Sequence, residues 1–158
     1  MSRWLFDLGN TRLKCAPLDA DGRVGGVHAI THDGTRFDDD PATVLPAQFA
    51  DASVASVASE DLRTELLDVL TRRCQRISLA CTQARFGAVR IAYPQPSRLG
   101  VDRFLALLGA HARGAGATLV VGVGTALTID WLDADGNRWT ELSLARLAAD
   151  DRFLAVGL

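Results

Sequence analysis

The chain has 158 residues, of which 48% are hydrophobic and 23% are charged, and its formal net charge is −2. These values are ordinary for a globular protein with one good core, and they lack the basic surplus typical of a nucleic-acid-binding protein. No apolar run is long enough to span a bilayer, and residues 1–7 reach an aspartate too early for a secretory signal. We therefore expect a cytoplasmic protein with neither a nucleic-acid nor a membrane partner.

The first part of the chain is predicted to be mainly β-structure. Alternating apolar and polar residues predict a hairpin with strands at residues 4–8 and 12–18, followed by a turn at Asp21-Gly22. The next predicted elements are a strand at residues 26–30, a polar surface loop at 31–48 and a short buried strand at 54–58.

A first helix is predicted directly after Ser59, a residue type favoured at the N-cap. Glu60 and Asp61 then occupy the first turn, where the helix dipole favours anions. The predicted apolar face consists of Leu62, Leu66, Val69, Leu70 and Cys74. Further strands are expected at residues 77–81 and 89–93.

Pro94 and Pro96 predict a loop, and a second helix is expected from Asp102 to about Arg113. Its predicted apolar side consists of Phe104, Leu105, Leu107, Leu108 and Ala112. Gly114-Ala115-Gly116 ends this helix and is a candidate hinge. The remaining predicted elements are a buried strand at residues 118–121, a second hairpin and a helix around 141–149.

The second hairpin resembles the first in sequence. Asp7-Leu8-Gly9-Asn10-Thr11 leads into a strand that ends at the turn Asp19-Ala20-Asp21-Gly22. Gly122-Val123-Gly124-Thr125 leads into a strand that ends at Asp133-Ala134-Asp135-Gly136. Two such copies predict two related domains that face each other. Glycine- and threonine-containing turns can direct backbone N–H and hydroxyl groups at phosphate, so we expect a phosphate-binding protein.

The first copy carries the residue types that Mg²⁺ and phosphate require. Asp7, at the end of a strand, can hold Mg²⁺ directly or through water. Gly9 allows close approach of a phosphate, Asn10 and Thr11 offer donors, and Lys14 supplies a positive charge. A plain β-hairpin with a solvated lysine explains this stretch equally well, and the second copy favours the functional interpretation.

The residues around the second helix start suggest acid–base chemistry. Asp102 can accept a proton from a substrate hydroxyl, and Arg103 can bind a carboxylate or phosphate through its planar guanidinium. Alternatively, Asp102 is an N-cap and Arg103 a surface charge. Asp130 either faces a nucleotide or flanks the turn, and we favour the latter. Because Leu127 occupies the third glycine position, the Rossmann pattern is weak, and no Walker A sequence is present.

The cysteines and histidines show no metal-binding pattern. Cys15, Cys74 and Cys81 are odd in number and lack metal-type spacing, so we expect reduced, mostly buried thiols. His28 and His32 are four residues apart, but no helix is predicted there, so a metal site is not expected.

Together, three stretches resemble the type III pantothenate kinases, which phosphorylate pantothenate in coenzyme A biosynthesis. The segment Asp7-Leu8-Gly9-Asn10-Thr11-Arg12-Leu13-Lys14 resembles the first phosphate motif of that family. Gly100-Val101-Asp102-Arg103 resembles its substrate and catalytic motif, and Gly124-Thr125-Ala126-Leu127-Thr128 resembles its second phosphate motif. The resemblance extends from residue 1 to about residue 137.

The resemblance implies an α/β protein of the actin-like (ASKHA) type, in which ATP binds between two ribonuclease-H-like lobes. The first lobe, residues 1–115, is expected to be complete, and the second, residues 116–158, incomplete. A homodimer is expected, with pantothenate and ATP as substrates, Mg²⁺ as cofactor and a monovalent cation, K⁺ or NH₄⁺, as a further requirement. The implied ATP- and phosphate-binding residues are Asp7, Leu8, Gly9, Asn10, Thr11, Arg12, Leu13, Lys14, Gly124 and Thr125, with Asp7 also binding Mg²⁺. The implied pantothenate-binding residues are Tyr93, Gly100, Val101, Asp102 and Arg103, with Asp102 as the catalytic base.

Two departures from the family pattern affect these expectations. Gly122 stands where many members carry an aspartate that binds the monovalent cation, which leaves potassium dependence in question. Residues 137–141 replace a glycine-rich segment, and the chain ends soon after the second hairpin. An alternative function is therefore a non-catalytic family member that binds a partner, dimerises or regulates, as the Bvg accessory factors do.

Overall fold

The structure is a computed structural model that describes residues 2–114, 116–123, 127–139 and 153–157. It divides into two compact units, Met1–Ala80 and Cys81–Leu158, and each combines a β-sheet with an α-helix. The expected α/β class is thereby confirmed. The expected lobe boundary between residues 115 and 116 stays a prediction. The helix expected at residues 141–149 lies outside the described residues.

The first unit contains a five-stranded sheet. Its strands are β1 (Arg3–Leu8), β2 (Arg12–Leu18), β3 (His28–Thr31), β4 (Phe49–Ser56) and β5 (Cys74–Leu79), in the order β3-β2-β1-β4-β5. The β1–β2 and β2–β3 pairs are antiparallel, whereas β4 runs parallel to β1 and to β5. This is the strand order of a ribonuclease-H-like lobe, as the resemblance implied.

Helix α1 (Glu60–Thr71) makes the crossover between the parallel strands β4 and β5. Ser59 is its N-cap, as predicted, because its Oγ accepts a hydrogen bond from the Leu62 N–H at 3.4 Å. The helix ends earlier than the apolar pattern suggested. Cys74 begins β5 instead of extending the helix face, so that part of the prediction was wrong.

The core of this unit lies between α1 and one face of the sheet. Trp4, Phe6 and Leu8 alternate along β1 and point to that face. The fully buried residues of α1 that pack against them are Leu62, Leu66 and Leu70. Because residues alternate along a strand, Asp7 lies on the opposite face of the sheet.

Strand β4 begins earlier than predicted, at Phe49 instead of Val54. Phe49 is buried in the core, and Asp51 forms an ion pair with Arg76 of β5 at 2.7 Å. Both residues pair with strands that are distant in sequence, so no local pattern marks them as β-structure. The third cysteine also departs from expectation, since Cys81 is exposed whereas Cys15 is buried.

The second unit contains a six-stranded sheet. Its strands are β6 (Arg85–Phe86), β7 (Val89–Ile91), β8 (Thr118–Val123), β9 (Leu127–Leu132), β10 (Asn137–Trp139) and β11 (Phe153–Gly157), in the order β11-β8-β9-β10-β7-β6. Strands β8, β9 and β10 are antiparallel neighbours, and β11 runs parallel to β8. The same arrangement relates β1, β2, β3 and β4 in the first unit, so the sequence repeat corresponds to a repeat in topology.

Helix α2 (Val101–Ala112) packs on this second sheet. Its buried residues, Val101, Phe104, Leu107 and Ala110, recur every third residue. Phe104 and Leu107 share a core with Val120 of β8 and Leu132 of β9. Leu105 was predicted on the apolar side but is 41% exposed, because the buried stripe follows the i+3 positions and leaves it at the edge. In the described part of the chain, neither helix has the length and apolarity needed to cross a membrane.

Candidate phosphate- and substrate-binding sites

The first candidate site is the β1–β2 turn, residues 9–11. The turn closes with a hydrogen bond of 3.1 Å from the Gly9 N–H to the Arg12 carbonyl. Asn10 and Thr11 are exposed at its tip. Leu8 and Leu13 flank it as direct partners and are buried in the core, so only their backbone groups are accessible to a ligand.

Gly9 has no steric role within the turn. It does not have a positive φ, which is the conformation that favours glycine over other residues. A Cβ atom added at Gly9 would lie 3.5 Å from the Arg12 carbonyl oxygen, an ordinary van der Waals distance. Neither backbone strain nor crowding inside the protein therefore requires glycine at this position. A larger residue would occupy space on the outside of the turn.

Asp7 and Lys14 are direct cross-strand partners at the base of the turn. Both are half-buried and lie on the face of the sheet opposite the core. Opposite residues in an antiparallel pair have Cβ atoms about 5 Å apart, so the Asp7 carboxylate and the Lys14 ammonium group lie near each other on this face of the sheet. The carboxylate is a ligand type that Mg²⁺ prefers, and the ammonium is suited to a phosphate oxygen.

His32 is a polar residue of this unit whose role the sequence did not reveal. It is 9% exposed and follows β3, and its Nε2 lies 3.0 Å from the Gly9 carbonyl oxygen. Its own N–H donates to the Thr11 carbonyl at 3.3 Å. The phosphate-type turn is thus held by a histidine 23 residues away in sequence, a distance at which no motif signal is available.

The second glycine–threonine turn, with Gly124 and Thr125, lies outside the described residues. The strands on either side of it are described, and Gly122 pairs with Thr128 there. A Cβ atom at Gly122 would lie 2.5 Å from the Thr128 Oγ1, closer than such atoms approach. Any residue other than glycine at position 122 would therefore require the Thr128 side chain to shift.

The second candidate site is the start of α2. Gly100 is the N-cap, which rules out the alternative in which Asp102 has that role. Val101 is buried, whereas Asp102 and Arg103 in the first turn are half-buried. Within the part of the chain that the structure describes, the Asp102 carboxylate has no hydrogen-bond or ion-pair partner.

Arg103 forms a two-point ion pair with Asp130 of β9. Its Nε donates to Asp130 Oδ2 at 2.9 Å, and its Nη2 donates to Oδ1 at 2.7 Å. Asp130 is only 2% exposed and lies inside β9, so the favoured alternative, in which it merely flanks the turn, was wrong. That it faces a nucleotide stays a prediction. The hydrogen bonding of the guanidinium to Asp130 is the main cause that raises the pKa of Arg103, and Tyr93 beside the guanidinium adds to it.

This pairing leaves part of the guanidinium available. A guanidinium has five N–H donors, and Asp130 takes one from Nε and one from Nη2. Tyr93 also forms a side-chain hydrogen bond with this guanidinium. Arg103 is thus held rigidly at one edge while keeping donors that suit a carboxylate.

Comparison with known proteins identifies the family. The family model described as type III pantothenate kinase matches residues 4–139. A type III pantothenate kinase from Xanthomonas campestris pv. campestris (strain B100) is 53% identical over 136 residues, which are 86% of this chain and 54% of that protein. One from Stenotrophomonas maltophilia (strain K279a) is 52% identical over 136 residues, 86% of this chain and 55% of that protein.

The chain spans about half the length of the curated relatives that it matches. Among solved structures, a ROK family glucokinase from Streptomyces griseus, in complex with glucose and AMPPNP, is 12% identical with a TM-score of 0.39. That alignment covers 85% of this chain and 45% of the glucokinase, and a similarity this low supports no conclusion about function. The family match, by contrast, includes the Asp7–Lys14 hairpin and the start of α2. The chain therefore belongs to the type III pantothenate kinase family.

Proposed function

We propose that this chain carries the phosphate-binding and pantothenate-binding parts of an ATP-dependent pantothenate kinase. The reaction transfers the γ-phosphoryl group of ATP to the primary hydroxyl of pantothenate. The observation that carries the proposal is the start of α2. There the half-buried Asp102 carboxylate, which has no partner among the described residues, stands beside the rigidly held guanidinium of Arg103. A base next to an anion-binding group is what a substrate with a hydroxyl and a carboxylate requires.

The β1–β2 turn is proposed to hold the ATP phosphates. Phosphoryl transfer depends on positioning and on neutralising charge, and this hairpin offers both. Asp7 fits Mg²⁺, directly or through water, because Mg²⁺ is usually held by one or two carboxylates together with substrate phosphates. Lys14 opposite Asp7 supplies a positive charge, and Gly9 leaves room for close approach. Gly124 and Thr125 are proposed as the second phosphate contact.

Asp102 is proposed as the catalytic base. The pantothenate hydroxyl oxygen attacks the γ-phosphorus, its proton passes to the Asp102 carboxylate, and the bond to the β–γ bridging oxygen breaks to release ADP. Gly100 and Val101 form the backbone of the helix start that positions this carboxylate. Because the carboxylate has no partner among the described residues, it is available to accept the proton.

Arg103 and Tyr93 are proposed to bind the pantothenate carboxylate and to set its orientation. Asp130 holds one edge of the guanidinium at two points, so little side-chain entropy remains to be lost when the substrate binds. Tyr93 lies close enough to Arg103 to raise the pKa of the guanidinium further. Asp130 is thus a positioning residue in this proposal.

The proposal includes the finer expectations that follow from the family resemblance. These are a cytoplasmic location, a homodimer, and lobes at residues 1–115 and 116–158. It assigns no carboxylate ligand for K⁺ or NH₄⁺ to residue 122, because the Thr128 hydroxyl occupies the space beside Gly122. Sedimentation velocity tests the dimer, and turnover with and without K⁺ tests the cation requirement.

A matched pair of variants tests the proposed base. Asp61 occupies the same position in the first turn of α1 that Asp102 occupies in α2, so each interacts alike with its helix dipole. Turnover is measured with Mg·ATP and pantothenate in an assay coupled to ADP release. We expect Asp102→Asn to lower kcat about 10²- to 10⁴-fold, as for loss of a general base, and Asp61→Asn to leave it within about twofold.

Two results would count against the proposal. Equal kcat values for Asp102→Asn and wild type would remove Asp102 from the chemistry. No turnover by the folded wild-type chain, together with no heat of Mg·ATP binding in calorimetry, would favour the non-catalytic alternative instead.

A further inference from the structure

His32 is joined by hydrogen bonds to both ends of the β1–β2 turn. Its Nε2 lies 3.0 Å from the Gly9 carbonyl oxygen, and its backbone N–H donates to the Thr11 carbonyl at 3.3 Å. The ring is buried and meets Phe37 edge-on, with 5.9 Å between ring centroids. The contacts therefore restrict where the turn's first and last carbonyl groups point.

The tautomer of the neutral His32 ring follows from its hydrogen bond with Gly34. The Gly34 N–H donates to Nδ1 at 3.2 Å, so Nδ1 acts as an acceptor. In a neutral imidazole the proton is then on Nε2, which donates it to the Gly9 carbonyl. Gly34 has a φ of +100°, a conformation that favours glycine and allows its N–H to face the ring.

The hydrogen bonds continue from His32 to the start of α1. The Gly34 carbonyl accepts a hydrogen bond of 2.9 Å from the Ser59 Oγ, and Ser59 is the N-cap of that helix. A continuous series thus links Ser59, Gly34, His32 and Gly9. The turn is anchored to the helix start as well as to its own two strands.

We propose that His32 is a positioning residue for the phosphate turn, an inference that deepens the proposed function and rests on it. A trans peptide unit is planar, with its C=O and N–H in opposite directions. Holding the Gly9 carbonyl toward His32 therefore directs the Asn10 N–H away from the ring. Asn10 and Thr11 are exposed residues at the tip, so this N–H becomes a preorganised donor for an ATP phosphate oxygen.

Two substitutions separate the two ring nitrogens. His32→Gln places an amide NH₂ near the position of Nε2 and can still donate to the Gly9 carbonyl. His32→Asn places its polar atoms near Nδ1 and cannot reach Gly9. His28→Asn is the control, because His28 begins β3, the strand that ends directly before His32, and it is exposed and stacks on Trp4 away from the turn. All three are made in the full chain and checked for an unchanged melting temperature.

The measurements are dissociation constants for Mg·ATP and for pantothenate, by calorimetry, and hydrogen exchange of the Asn10 to Arg12 amides. We expect His32→Asn to weaken Mg·ATP binding about tenfold and to leave pantothenate binding within about twofold. His32→Gln is expected to restore Mg·ATP binding to within about threefold of wild type, and His28→Asn to match wild type. A purely structural role would weaken both ligands together and would not distinguish asparagine from glutamine.

Two outcomes would overturn the inference: wild-type Mg·ATP affinity in His32→Asn, or equal losses in His32→Asn and His32→Gln. If the wild-type chain binds no Mg·ATP, the proposed function fails and amide exchange decides the positioning role alone. Faster exchange of the turn in His32→Asn but not in His32→Gln would then support it, and unchanged exchange in both would overturn it.

Discussion

The Arg103–Asp130 pair is expected to stabilise the fold as well as to orient Arg103. The Asp130 side chain is 2% exposed and that of Arg103 is 27% exposed, with a shortest N···O distance of 2.7 Å. Arg103→Met removes the charge partner while keeping most of the apolar volume. The buried Asp130 carboxylate then loses its ion pair with Arg103, and breaking a buried pair in this way costs about 3–5 kcal/mol. That is a large part of the roughly 5–15 kcal/mol that stabilises a typical domain.

The Asp51–Arg76 pair provides a matched control, because its shortest N···O distance is also 2.7 Å. The Arg76 side chain, however, is 72% exposed, so solvent screens the interaction. Arg76→Met is expected to cost less than about 1 kcal/mol. Two ion pairs with the same N···O distance are thus expected to contribute very different free energies to stability, because only one of them is buried.

Urea denaturation followed by circular dichroism measures both free energies of unfolding, with m values compared to verify two-state behaviour. The double variant Arg103→Met/Asp130→Leu is expected to recover most of the loss, because it removes both charges. Equal costs for Arg103→Met and Arg76→Met would refute the reasoning from burial. A double variant as unstable as Arg103→Met would show that packing at residue 103, not a stranded charge, carries the effect.

Three further predictions concern the turn, its neighbouring loop and the thiols. Gly9→Ala is expected to keep the free energy of unfolding within about 0.5 kcal/mol of wild type while the affinity for Mg·ATP falls at least about tenfold. Gly22→Ala, at a position with φ +79°, is expected to lower the free energy of unfolding by about 1 kcal/mol and to keep the Mg·ATP affinity. The reverse pattern would contradict the role given to Gly9. Hydrogen bonds from the backbone N–H groups of Thr35 and Arg36 lower the pKa of Asp33 from 3.8 to about 2, so its stabilisation is complete above pH 4 and is lost as the pH falls toward 2. The stability difference between wild type and Asp33→Asn, measured by urea denaturation, is therefore expected to shrink over that range, and a constant difference would argue against this. Burial raises the pKa of the Cys15 thiol to about 11. In the native protein, Ellman's reagent is therefore expected to modify the exposed Cys81 well before Cys15. Equal rates of modification would contradict the buried position of Cys15.

Local signals in the sequence were sufficient for the elements whose ends depend on local chemistry. The pattern of residues 4–8 predicted strand β1, and Ser59 predicted the start of α1. Periodicity and capping act within a few residues, so they can be read without knowledge of the fold. The resemblance carried by the Asp7–Lys14 hairpin and the start of α2 was confirmed as family membership for the same reason, since each motif is contiguous.

Tertiary contacts decided the features that the local pattern did not predict. Phe49 belongs to β4 because it pairs with β5, and Cys74 begins β5 because the helix has ended. Leu105 is apolar and lies on a helix, yet it is 41% exposed because the sheet contacts only the neighbouring stripe. In each case the position of another element, not the residue itself, determined the outcome.

The candidate sites show the same division. Asp7, Gly9, Asp102 and Arg103 were predicted as candidates from the sequence because the chemistry of their residue types stands out within short motifs, and their roles stay predictions. The contacts of His32 with Gly9 and of Asp130 with Arg103 were not predicted, because these partners lie 23 and 27 residues apart in sequence. A sequence pattern records which face of a strand is apolar and where a helix can begin. Which polar groups meet across a folded sheet depends on strand order and register, and these are decided only when distant segments pack together.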